Sequence, residues 1–165
     1  MKKIIIRDIT YAGIIGALYA VMTISLAPIS YGVYQIRIAE ALTVLPFLFP
    51  FSIVGLFIGC LVANIFGGNG LQDILFGSLF TFIAGYFTYL CSTLKSKRLG
   101  LILAPLPPVL INAFGVSAYL YAIIGMSYFS VVMAIGVGQI VACYILGLPL
   151  LIYLKSKNIF FENRK

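Results

Sequence analysis

Tyr34-Gln-Ile-Arg37-Ile-Ala-Glu40-Ala-Leu-Thr-Val-Leu-Pro46-Phe-Leu-Phe-Pro50 sets an arginine and a glutamate into an otherwise apolar run. Charge at a bilayer centre costs about 2.5–3.5 kcal/mol per group on insertion scales, so a charged residue in such a run marks a functional candidate. Arg37 and Glu40 are three apart, which puts them on one face of a helix, where they are expected to offset each other. Asp73 is the only other acid away from the chain ends.

The rest of the chain makes the setting a membrane. Hydrophobic residues are 62% of its 165 residues and charged residues 9%, against about 45–50% and about 25% in soluble domains. A soluble core cannot use that much apolar surface, so residues 1–165 read as one integral membrane domain. The net charge is +7, and ten of the eleven basic residues fall in three patches. Lys2, Lys3 and Arg7 open the chain, Lys95, Lys97 and Arg98 lie mid-chain, and Lys155, Lys157, Arg164 and Lys165 close it. They flank apolar blocks rather than mixing with polar and aromatic residues, which argues against nucleic acid. The positive-inside rule accounts for them if all three patches are cytoplasmic. No signal peptide is expected, because Ala27-Pro28 makes a poor cleavage site. Cys60, Cys91 and Cys143 each lie in an apolar run, and no histidine is present. They offer neither a disulfide framework nor a metal site and read as small packing residues.

A spanning helix needs about 20 apolar residues. Apolar segments cover residues 9–28, 38–49, 51–66, 73–94, 101–125 and 129–154. Pro28 is expected to stop the first, and the Gly67-Gly68-Asn69-Gly70 turn the third. Residues 38–49 are too few to cross alone as an α-helix, yet all three basic patches share one side only if this segment crosses. The expected fold is therefore all-α, with six transmembrane helices and cytoplasmic N- and C-termini. No internal repeat or low-complexity tract interrupts it.

On that topology Glu40, Asn64, Asp73, Asn112 and Gln139, with tyrosines including Tyr34, gather toward the outer half. They suggest an outward-facing pocket for a small polar ligand. Plainer readings stand beside this one. Arg37 and Glu40 can be a structural ion pair, Asp73 a helix cap, Asn112 and Gln139 interhelical packing bonds, and the tyrosines an interface belt. In the first span Ala12, Gly16 and Ala20 repeat every four residues, as do Gly13 and Ala17. Such a stripe lets another helix approach closely, from a partner chain or from within this one. No Walker loop occurs, and no nucleophile stands with its base, so catalysis and direct ATP binding are not expected.

Three stretches carry a resemblance. Tyr34-Gln-Ile-Arg-Ile-Ala-Glu-Ala-Leu-Thr-Val-Leu-Pro46, Gly55-Leu-Phe-Ile-Gly-Cys-Leu-Val-Ala-Asn64-Ile-Phe-Gly-Gly and Asp73-Ile-Leu-Phe-Gly-Ser-Leu resemble the QueT family. These are substrate-binding S components of energy-coupling factor (ECF) transporters assigned to queuosine precursors. The likeness spans nearly the whole chain and is most specific from about residue 30 to 90; the later helices are similar mainly in hydropathy. It implies an S-component bundle in the bacterial plasma membrane, with a loop between the first two helices closing over substrate. It also implies a membrane coupling protein and two cytoplasmic ATPases as partners, so that ATP is used by them and this chain needs no cofactor. The family docks through an Ala-x-x-x-Ala pattern on the first helix, which is degenerate here across Ala12, Gly13, Gly16, Ala17 and Ala20. The implied ligands are 7-deazaguanines: the 7-cyano or 7-aminomethyl form, or queuine. Glu40 or Asp73 would accept from the guanine-like donor edge and Asn64, Asn112 or Gln139 would read the carbonyl. A tyrosine would stack, and Arg37 would orient Glu40. The alternatives are an S component for another vitamin or nucleobase, and a structural membrane protein.

Overall fold

The computed structural model describes residues 6–32 and 35–157, and every regular element among them is helical. Its polarity is inverted. Ile58, Phe66, Phe82, Phe114, Met133 and Ile145 stand exposed, while Arg37, Glu40, Asn64, Asp73, Asn112 and Gln139 are buried. An apolar exterior of that extent suits lipid rather than water. By length and composition four helices can cross a membrane: Ile6–Ser25, Asp73–Ser92, Lys97–Ile124 and Tyr128–Ser156. The two remaining expected spans give only the shorter helices Ile38–Phe47 and Ser52–Gly67. Pro46, Pro50 and the glycine turn after residue 66 cut them short of the usual 20 residues or so.

Helix α1 (Ile6–Ser25) does not run to Pro28. It gives way to a four-residue helix α2 (Ala27–Ser30) with Pro28 in its first turn, where a missing N–H costs nothing. Helix α3 (Ser52–Gly67) lies along α1 in the same direction, for Gly55 meets Ala12 and Gly59 meets Gly16. A Cβ built on Gly55, Gly59 or Gly16 would strike the carbonyl oxygen of Ala12, Gly16 or Gly55 respectively. The two backbones touch with no space for a methyl group, the geometry small residues allow between membrane helices.

This contact corrects the small-residue reading. Ala12, Gly16 and Ala20 are buried inside the chain, so they are not free for a partner, whereas Gly13 and Ala17 are exposed. A Cβ on Gly13 would meet nothing within 4 Å.

Because α1 and α3 are parallel, the chain between them must return along the bundle. It does so through a 3-10 helix, Ile38–Phe47, and not the α-helix expected over 38–49. At about 2.0 Å rise per residue, against 1.5 Å in an α-helix, ten residues reach about 20 Å instead of 15 Å. Every residue from Ala39 to Phe49 is buried, so protein surrounds this narrow helix on all sides. Pro46 lies inside it and withholds an N–H, while Thr43 Oγ donates to the Glu40 carbonyl at 2.6 Å.

Around this axis stand α4 (Ser78–Ser92), entered through a π-helical turn Asp73–Gly77, then α5 (Lys97–Leu103) and α6 (Leu106–Ile124). The fifth segment thus begins near Lys97, earlier than residue 101, and breaks at Ala104–Pro105, where proline cannot continue the ladder. The last segment is also subdivided, into α7 (Tyr128–Ile140), a π stretch Val141–Gly147 and α8 (Leu148–Ser156). Gly68, Gly70 and Gly125 hold positive φ at the turns, a conformation that glycine adopts without strain.

Gly55→Ala and Gly59→Ala are expected to force α1 and α3 apart and lower stability by about 1–3 kcal/mol, the cost of overpacking. Gly13→Ala on the open register should leave the melting temperature of the purified protein unchanged.

Candidate functional site

The buried polar residues form two tiers joined by a small cavity. In the first, Asp73 collects donors. Its Oδ2 accepts from Arg37 Nη2 at 3.2 Å and Asn69 Nδ2 at 3.1 Å, and its Oδ1 from Tyr119 Oη at 2.6 Å. Asn64 Nδ2 donates to the Asp73 carbonyl at 2.8 Å. Gly77 makes room for this group, since a Cβ there would lie 2.8 Å from Asp73 Oδ1 and 2.9 Å from Asn64 Nδ2. Arg37 also donates from Nε to the Ser30 carbonyl at 3.4 Å, and its guanidinium lies 5.5 Å from the centre of the Tyr31 ring.

Arg37 therefore pairs with Asp73, not with Glu40 as the three-residue spacing suggests. The i,i+3 rule needs both residues on a helix, but Arg37 is the extended residue just before the 3-10 helix (φ −86°, ψ 98°). Asp73 is no cap either, for both of its oxygens are engaged by side chains from elsewhere.

The second tier is built on Glu40, 1% exposed. Tyr19 Oη donates to its Oε1 at 2.5 Å and Asn112 Nδ2 to its Oε2 at 3.3 Å. Asn112 Nδ2 also approaches Gln139 Oε1 at 3.4 Å. Since the carboxylate and the Gln139 oxygen both accept, the nitrogen of Asn112 must face them. That leaves Asn112 Oδ1 buried and without a partner among the described residues, as is Gln35 Nε2. Orphaned buried polar atoms cost about 1–3 kcal/mol each, so they point to a missing partner.

Arg37, Glu40, Asn112 and Gln139 line the cavity between the tiers, with Gln35 and Thr81 completing its polar wall. Asn64 and Asp73 lie behind it, linked through Arg37. Tyr34 is outside the described residues. The cavity measures about 10 Å³, room for about one water molecule. Gln35 stands in the left-handed region at φ 40°, strained for a residue with a side chain.

Sequence reasoning missed Tyr19, Gln35 and Thr81 as members, and Gly77 as the residue that admits them. Two signals were available. A tyrosine in mid-span needs a partner for its hydroxyl, and Asp73, Gly77 and Thr81 recur every four residues on one helix face.

A family model described as QueT transporter matches residues 9–156. A protein of Lactococcus lactis subsp. cremoris (strain MG1363), named Queuosine precursor transporter QueT, is 34% identical over 85 residues. That match covers 50% of this chain and 50% of the relative, so the chain spans about half the length of the curated protein it matches. No solved structure matches the chain.

Breaking one side of a buried ion pair typically costs about 3–5 kcal/mol, because the other charge is left uncompensated. Asp73→Asn and Arg37→Met are each expected to destabilise the protein on that scale. The double variant should be more stable than the less stable single variant, which a double-mutant cycle on thermal unfolding in detergent would measure.

Proposed function

The chain belongs to the QueT transporter family, and from that membership we propose that it captures a queuosine precursor at the outer face of the bacterial plasma membrane. In this reading it is an S component. A membrane coupling protein and two cytoplasmic ATPases drive release inward, and this chain performs no catalysis and holds no cofactor. The substrate class follows the name of the Lactococcus lactis relative. The chain crosses the membrane six times with both termini inside, the 3-10 helix counting as the second crossing. The parallel course of α1 and α3 supports this count, as does the meeting of Lys97 and Lys155 at one cavity. Gly13 and Ala17 remain as the open register on α1 for the coupling protein.

One observation carries the choice of ligand-reading acid. A carboxylate has about four acceptor positions. Asp73 already has three donors and sits behind the cavity, while Glu40 has two and lines it. Glu40 therefore accepts from the guanine-like N–H edge, beside the orphaned Asn112 Oδ1, and Gln35 Nε2 donates to the ligand carbonyl. Arg37 pairs with Asp73, so the cluster holds two acids, Asp73 and Glu40, against one base. The 7-aminomethyl form, a cation, suits that balance better than the 7-cyano form.

A bicyclic base cannot enter a cavity of about 10 Å³, so this conformation is closed. The residues that must move are Gln35 and Arg37, which stand ahead of the 3-10 helix and line the cavity. Strain at Gln35, of order 1–2 kcal/mol for a left-handed residue, favours its release.

Calorimetry on the purified protein should show 7-aminomethyl-7-deazaguanine binding more tightly than the 7-cyano form. Glu40→Gln should weaken that binding about 10- to 150-fold, the value of one hydrogen bond to a charged group, with a lower melting temperature because its amide meets one of the two donors, Tyr19 or Asn112. If no deazaguanine binds the wild type, the substrate assignment fails. If Glu40→Gln binds as the wild type does, the reading acid is misassigned.

A further inference from the structure

A second cavity, of about 440 Å³, opens at the opposite end of the bundle from the polar site. Phe47, Leu48, Pro50 and Tyr89 form its apolar wall, and Lys97 and Lys155 stand with Ser92 at its polar side. Phe47 and Leu48 are buried, so the cavity reaches from the surface into the core at the end of the 3-10 helix. Both lysines are held in place. Lys155 Nζ lies 5.9 Å from the centre of the Phe47 ring, and Lys97 Nζ donates to the Ser92 carbonyl at 2.9 Å, at the end of α4. Each ammonium has three donors, the Ser92 carbonyl engages one of those on Lys97, and among the described residues no carboxylate lines the cavity.

We propose that this cavity is a binding site for an anionic phospholipid. The phosphodiester lies between the ammonium groups of Lys97 and Lys155, and an acyl chain runs along Phe47, Leu48, Pro50 and Tyr89. Charge and shape agree on this occupant. Basic pockets between membrane helices attract acidic headgroups, and the cations here border an apolar wall as a headgroup borders its chains. A free phosphate leaves that wall uncovered. A zwitterionic choline lipid brings a second cation toward two lysines. The site is separate from the Glu40 cavity, so failure to bind a deazaguanine has no bearing on it.

Native mass spectrometry of the purified full chain, with phosphatidylglycerol and phosphatidylcholine of matched chains, tests the assignment. One phosphatidylglycerol should be retained in preference to phosphatidylcholine, and millimolar inorganic phosphate should not displace it. Lys97→Gln with Lys155→Gln should weaken retention about 25-fold, each lysine near an anionic surface contributing about fivefold. The paired Lys97→Arg and Lys155→Arg variant should keep it. Lys95→Gln with Arg98→Gln removes the same charge from residues outside the cavity lining and should leave retention intact. Equal retention of phosphatidylcholine, displacement by phosphate, or equal loss in the Lys95/Arg98 variant would each overturn the proposal.

Discussion

The Arg37–Asp73 ion pair fixes where the central helix begins. Both side chains are almost fully buried and their charged atoms lie 3.2 Å apart. Taking two charges out of water is costly, and attraction alone repays it only when other hydrogen bonds satisfy both groups. Here Asn69 and Tyr119 complete Asp73, while the Ser30 carbonyl and the Tyr31 ring attend Arg37. The pair thus ties the entrance of the 3-10 helix to the glycine turn, to the start of the fourth span and to α6. Its worth lies less in net stability than in choosing one register among those that a featureless apolar helix would allow.

That register matters because the 3-10 helix touches protein on every side. An α-helix of the same residues would be shorter and wider, and the neighbours already approach at backbone distance. Gly147 faces the Ala41 carbonyl, where a Cβ would stand at 3.0 Å. Gly16, Gly55 and Gly59 bring α1 and α3 together more closely still. Once two parallel helices are in backbone contact, the connection between them has to recross nearby, and the thinner helix reaches further per residue. Small residues and 3-10 geometry are therefore two parts of one packing solution.

Composition and the basic patches were enough to read a helical membrane chain. Arg37, Glu40, Asn112 and Gln139 were legible as cavity residues because polarity inside apolar sequence is its own signal. Their pairing was not. Spacing rules assume regular helix at both positions, and Arg37 sits one residue outside it. The stripe on α1 was ambiguous for a different reason: two registers one residue apart, each repeating every four residues, satisfy the same rule. The matching Gly55-x-x-x-Gly59 on α3 was in plain view and would have shown that α1 had an internal partner. Tyr19 was hidden because an isolated tyrosine in a span resembles an interface residue until its depth is known.

The two tiers also divide labour in the proposed opening. When the segment carrying Gln35 and Arg37 moves away, Asp73 keeps Asn69 and Tyr119 as donors but loses its countercharge, and that loss is the main cost of opening. Arg37 immediately precedes the 3-10 helix at the end of the bundle nearest the glycine turn, and a guanidinium released there regains water. Glu40, held by Tyr19 and Asn112 from helices outside that segment, keeps its place while the wall in front of it leaves. A site arranged this way can present its second acid, Glu40, to an arriving cation while Tyr19 and Asn112 hold that acid in place.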